Sequence, residues 1–112
     1  MNDSKIRFVC FAPLAVLGLF LAAVPARAQD AAGLYKSKCA ACHGADGSGN
    51  TAVGKSMKLR DLRSADVQKQ TGEELTAMIT NGKGAMPAYK DKLTSDQIKQ
   101  LVEFIRQLAK KT

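Results

Sequence analysis

The stretch Cys39-Ala40-Ala41-Cys42-His43 decides how the rest of the chain is read. Positions 39, 42 and 43 stand at i, i+3 and i+4, so on a helix they share one face. C-x-x-C-H is the covalent attachment signature of c-type haem. Each thiol adds to one haem vinyl group, and the histidine falls under the iron as its proximal ligand. Two other chemistries use paired cysteines. A redox-active C-x-x-C follows a strand in a βαβ unit, and nothing upstream reads as a strand. A structural zinc site needs four ligands, and beyond residue 28 there is no further Cys or His.

The sequence upstream of the motif reads as an export signal. Lys5 and Arg7 form a basic start, Phe8 to Val24 is an uninterrupted apolar and small-residue run, and Ala26-Arg27-Ala28 is an A-x-A pattern preceded by Pro25. This is the layout of a secretory signal peptide, and cleavage is expected between Ala28 and Gln29. The chain thus divides into residues 1–28, a cleavable signal, and residues 29–112, a single domain. An uncleaved anchor facing the periplasm is the alternative. A spanning helix needs about 20 apolar residues, more than this run supplies, and Pro13 lies inside it. Cys10 precedes the apolar core, where a lipidated cysteine would not stand.

Removing the signal changes the bulk properties. The full chain of 112 residues carries +7. Residues 1–28 hold Lys5, Arg7 and Arg27 against the single acid Asp3, so the remaining 84 residues carry +5. Their aromatic residues are Tyr35, Tyr89 and Phe104 alone. A domain of roughly 80 residues ordinarily needs a staple, metal or cofactor to complete its core. The length excludes a two-domain enzyme. Export, and the want of any reading motif, exclude a nucleic-acid role.

The sixth iron ligand is sought among Met57, Met78, Met86 and the lysines. Met78 lies in Leu75-x-x-Met78-Ile79, a helical core stripe. Met57 sits between Lys55 and Lys58, where it reads as a side chain at a pocket edge. Met86 stands in Gly82-Lys83-Gly84-Ala85-Met86-Pro87-Ala88-Tyr89. Glycines give that loop freedom before Met86, and Pro87 fixes the backbone after it. Met86 is therefore the expected distal ligand, and His43 the proximal one.

Helix signals frame these residues. A first helix is expected over about Asp30 to Ala41, and Gly44 to Asn50 is a turn-rich break. A short helix is expected near Ser64–Gln70. Thr71-Gly-Glu-Glu74 is a capping box opening a helix that runs through Thr80 and stops at Asn81-Gly82. Thr94-Ser-Asp-Gln97 is a second capping box, with Leu93 and Ile98 as its hydrophobic staple. Ile98, Leu101, Val102, Ile105 and Leu108 then repeat at helical spacing. No segment sustains strand alternation, so the fold class is all-α.

Cys39-Ala-Ala-Cys42-His43-Gly44, Met86-Pro87 in a late loop and a closing amphipathic helix together resemble the class I cytochromes c, in particular the small soluble bacterial monohaem proteins. The resemblance covers about residues 30–110. It implies three to five helices wrapped around one covalent haem c, with His/Met ligation and the first and last helices crossing beside it. Ala31 and Tyr35 would meet Leu101 and Phe104 at that crossing. The family's usual small residue there is a glycine eight positions before the first cysteine; here that position is Ala31, and Gly33 follows two residues later. The family's usual proline after the haem histidine is missing, so a carbonyl in Thr51–Lys55 is the suggested acceptor for the His43 N–H. Lys55, Lys58, Arg60 and Tyr89 are candidates for the haem propionates or the pocket wall.

The resemblance also implies a function. Two filled axial positions leave no place for substrate, so a carrier is expected rather than an enzyme. The expectation is a periplasmic, monomeric protein passing one electron between respiratory redox partners, with no stable membrane insertion after cleavage. Lys36 and Lys38 flank the attachment motif, and Lys83, Lys90 and Lys92 flank the Met86 loop. Such a basic ring suits partners with acidic docking surfaces. A haem enzyme, or a gas-binding sensor or subunit in which Met86 is displaced, is the alternative.

Overall fold

A computed structural model describes residues 18, 20, 22–23 and 26–112. The expected signal segment, with Cys10, lies almost entirely outside the described residues. Among the described residues six helices follow in order: α1 (Ala26–Lys38), α2 (Ala40–His43), α3 (Ala52–Ser56), α4 (Ala65–Gln68), α5 (Gly72–Asn81) and α6 (Ser95–Lys110). Among the described residues there is no strand, only an isolated bridge between Lys83 and Met86. No helix among them is long and apolar enough to cross a membrane.

The two longest downstream helices are built as their sequences dictate. Thr71 accepts from the Glu74 N–H while the Glu74 carboxylate accepts from the Thr71 N–H. Thr94 and Gln97 repeat this reciprocal arrangement at the start of α6. Each box satisfies two N–H groups that a helix start otherwise leaves open. Leu93 and Ile98 are both buried in the same cluster, which completes the staple and fixes the angle at which the chain enters α6. Leu75 and Ile79 are buried on α5, and Ile98, Leu101, Val102, Ile105 and Leu108 on α6.

α1 packs along α6, and α5 lies against the same helix. At the crossing Tyr35 and Leu101 are the most deeply buried large side chains. The Tyr35 and Phe104 rings meet with centroids 4.9 Å apart and planes tilted by 41°. This is within the centroid range of attractive aromatic pairs, about 4.5–7 Å, and avoids a face-to-face sandwich. Ala31 is buried, whereas a Cβ at Gly33 would meet nothing within 4 Å. The small residue turned inward on α1 is therefore Ala31, and Gly33 faces open space.

Three features depart from the helices expected from sequence, the first being that α1 begins at Ala26 rather than near Asp30. The first expected helix is two helices, α1 and α2, with Cys39 between them at φ −119°, ψ −36°. A short helix, α3, stands over Ala52–Ser56, where the sequence signals no helix. Thr51 caps it by accepting from the Gly54 N–H at 2.8 Å.

Candidate haem-attachment site

Cys39 is the N-cap of α2, and Cys42 and His43 form its end. The His43 N–H bonds to the Cys39 carbonyl at 2.9 Å and that of Cys42 to the same oxygen at 3.2 Å. One tight turn therefore carries all three side chains. Both thiols are free and half-buried. Burial first, and the neighbouring Cys42 thiol second, push the Cys39 thiol up to about 11. Cys39 is thus a neutral thiol at neutral pH, the form whose S–H adds across a carbon–carbon double bond. Burial also holds the His43 imidazole below its ordinary value, so the ring is neutral, as a metal ligand must be.

His43 Nδ1 is buried and has no hydrogen-bond partner. A buried polar atom left unsatisfied is costly, and such atoms cluster where a ligand or functional group acts. A metal-bound histidine normally donates its second N–H to a carbonyl or carboxylate. The segment suggested for that role instead grips the motif one residue earlier. The Thr51 hydroxyl donates to the Cys42 carbonyl at 2.7 Å. Gly54, on the next turn, lies so close that a Cβ there would stand 2.8 Å from the same Cys42 oxygen and would overlap the Gly49 carbonyl. The absence of a side chain at Gly54 is what lets α3 sit on α2.

The loop carrying Met86 is more tightly built than its glycines suggest. The Lys83 N–H bonds to the Met86 carbonyl at 3.1 Å and the Met86 N–H to the Lys83 carbonyl at 3.0 Å. Gly82 and Gly84 take φ of 70° and 58°, which only glycine adopts freely. A Cβ at Gly82 would stand 2.8 Å from Ala88 N. The loop then returns to α5 through Tyr89 N–H to the Ile79 carbonyl and Lys90 N–H to the Thr80 carbonyl, both at 3.1 Å. Met86 and Cys39 are half-buried and pack against the same hydrophobic cluster.

The remaining candidates separate into two groups. Lys55, Lys58 and Arg60 are exposed on and after α3. Tyr89 is buried, and its hydroxyl donates to the Lys38 carbonyl at 2.9 Å. It belongs to the inside of the fold, behind the attachment motif. Val53 and Met57, at i and i+4 on the α3 face, are exposed apolar side chains. Sequence reasoning missed Val53, whose only signal is its spacing from Met57. The residues as placed fit a covalently attached haem: two free thiols, a neutral buried imidazole with an unpartnered nitrogen, and a thioether on a hydrogen-bonded loop against the same core.

Comparison with known proteins agrees with that chemistry. The family model described as cytochrome C oxidase, cbb3-type, subunit III matches residues 26–105. The chain is 41% identical over 78 residues to a cytochrome c6 of Leptolyngbya boryana, covering 70% of this chain and 88% of that one. It is 36% identical over 101 residues to cytochrome c-551 of Stutzerimonas stutzeri, covering 86% and 93%. A solved structure titled KustC0563 c-type cytochrome superposes with a TM-score of 0.64 at 34% identity, covering 70% of this chain and 96% of that one. The chain belongs to the class I cytochrome c family. It is a small haem-bearing electron-transfer protein and not an enzyme.

Proposed function

We propose that the chain is exported, loses residues 1–28, and works in the periplasm as a monomeric carrier of one electron between respiratory partners. Cys39 and Cys42 hold a single haem c through thioethers, and His43 and Met86 are its axial ligands. The observation that carries this reading is the joint placement of the attachment turn and the Met86 loop on one hydrophobic cluster. When bound, the haem supplies an iron that changes oxidation state by one electron without changing its ligands.

The chain's own residues do the rest. The neutral His43 imidazole offers a nitrogen donor, and the α2 turn places it beside both cysteines. The Met86 thioether is a soft donor that favours the reduced state and raises the potential relative to two histidines. Leu62, Phe104 and the buried cluster exclude water, which disfavours extra charge on the metal and acts in the same direction. Lys36, Lys38, Lys83, Lys90 and Lys92 are all exposed. They steer encounters with acidic partner surfaces, forming the small, short-lived complexes that rapid exchange requires. Lys55, Lys58 and Arg60 are cations near α3 available to the haem propionates.

Optical spectra of the purified protein in both redox states test the covalent haem and the methionine ligand together. Carbon monoxide added to the reduced protein tests the filled iron. No binding is expected, and rapid binding would favour a haem enzyme or gas sensor instead. Met86→Ala should keep the covalent haem, open the iron and lower the potential. An unaltered spectrum and potential would show that another group is the ligand. Intact mass of the exported protein, beginning at Gln29 with one haem added, checks processing and stoichiometry.

A further inference from the structure

The chain has two tyrosines, and their hydroxyls hold main-chain carbonyls at the two ends of the attachment motif. Tyr35 donates to the Gly44 carbonyl at 2.8 Å, one residue beyond His43. Tyr89 donates to the Lys38 carbonyl at 2.9 Å, one residue before Cys39. The two bonds differ in reach. Tyr35 spans nine residues of chain, whereas Tyr89 spans 51 and brings the Met86 segment against the motif.

Among the described residues, no other hydrogen bond of residues 82–93 reaches the motif. Lys83, Gly84, Ala85 and Pro87 are exposed, and Tyr89 is the first buried residue after Met86. Its hydroxyl makes the one side-chain hydrogen bond found for residues 82–93 among the described residues. Pro87 and Ala88 alone separate it from Met86, and Pro87 has a fixed φ, so few backbone rotations lie between the two. Burial pushes the Tyr89 hydroxyl above its ordinary value. It is therefore a neutral donor next to the attachment cysteines. The Lys92 ammonium lies 5.8 Å from the ring centroid, within the range of a cation–π contact.

We propose that Tyr89 is a positioning residue whose hydroxyl, clamped on the Lys38 carbonyl, sets how firmly the Met86 sulfur is held at the distal side of the haem site. The proposal rests on the reading of Met86 as an iron ligand. One such hydrogen bond contributes about 1 kcal/mol net, a factor of about five in an equilibrium constant. Loss of the hydroxyl with retention of the ring should release the sulfur by that factor.

Imidazole competes with the thioether for ferric iron, so its apparent affinity reports how firmly the sulfur is held. The oxidised holoprotein is titrated with imidazole by absorbance as wild type, Tyr89→Phe, Arg106→Lys and Met86→Ala. Tyr89→Phe should bind imidazole about five-fold more tightly than wild type. Arg106 donates to the Gln68 and Gln70 carbonyls, away from the Met86 loop. Arg106→Lys should therefore lower the denaturation midpoint and leave imidazole affinity unchanged. Equal affinities in wild type and Tyr89→Phe overturn the proposal, as does an equal rise in Tyr89→Phe and Arg106→Lys, which would mark general loosening. Wild type binding as tightly as Met86→Ala sinks the ligand assignment and the proposal with it. Wild type weaker than Met86→Ala, with Tyr89→Phe unchanged, sinks the positioning role alone.

Discussion

Replacing Gly54 with alanine sets two effects of opposite sign against each other. Gly54 lies inside α3, and alanine in a helix interior is favoured over glycine by about 1 kcal/mol. Local propensity alone thus makes the variant more stable. The tertiary contacts oppose it. The added Cβ would overlap the Gly49 carbonyl and stand 2.8 Å from the Cys42 oxygen and 2.9 Å from Gly49 C. All three are backbone atoms of the attachment turn and its following loop, so no side chain can swing away. Relief requires α3 to back off α2, which strains the packing at about 1–3 kcal/mol. It also breaks the 2.7 Å bond from Thr51 to the Cys42 carbonyl, at about 1 kcal/mol more. The tertiary terms exceed the propensity gain, and the expected net effect is a loss of about 2 kcal/mol. For a domain of this size that lowers the melting temperature by roughly 10 °C. The assay is thermal and guanidinium unfolding of the oxidised holoprotein. Gly33→Ala is the internal control, because that site is helical and meets nothing within 4 Å. It should gain about 0.5–1 kcal/mol. A Gly54→Ala protein as stable as Gly33→Ala would refute the argument that α3 is seated by the missing side chain.

Two further outcomes follow from single residues. Lys58 is the one non-glycine at positive φ among the described residues, at 53°, where it ends α3 with the Leu59 N–H on the Gly54 carbonyl at 2.9 Å. Lys58→Gly should stabilise the holoprotein by about 0.5–1 kcal/mol in guanidinium unfolding, and a loss of stability would show that the lysine side chain contributes more than its backbone costs. The side-chain hydrogen bond from Arg63 holds the Asp61 carboxyl below its ordinary value. Its stabilising effect is complete above the ordinary carboxylate pKa of about 4 and is lost as pH falls through the lower folded value. Asp61→Asn should therefore be less stable than wild type at pH 7, with the gap in urea midpoint closing in acid; a gap independent of pH would contradict the assignment.

Much of this was legible in the sequence because the signals were local. Thr71 and Thr94 start their helices where the capping boxes stand, and the α6 stripe is buried as its spacing requires. The attachment motif needs only five consecutive residues to be recognised. α3 was not legible, since five residues with a central glycine are poor helix formers, and the helix exists through Thr51 and its seat on Cys42. The tyrosine hydroxyls were equally hidden. Their acceptors are main-chain carbonyls, which carry no sequence signature, so Tyr89 read only as a candidate for the haem propionates or the pocket wall, with no sign of its bond to Lys38. The inward position of Ala31 over Gly33 was settled by which face of α1 meets α6.

The Tyr89 bond has one more consequence. It takes hold of the oxygen of residue 38 and leaves the side chain of Lys38 exposed. Any residue other than proline or glycine at 38 would present the same carbonyl to the same hydroxyl. The internal architecture is thereby insulated from the chemistry displayed beside the attachment cysteines. A lineage can exchange the charge at that rim, and with it the partners it attracts, without disturbing the frame that grips the redox centre.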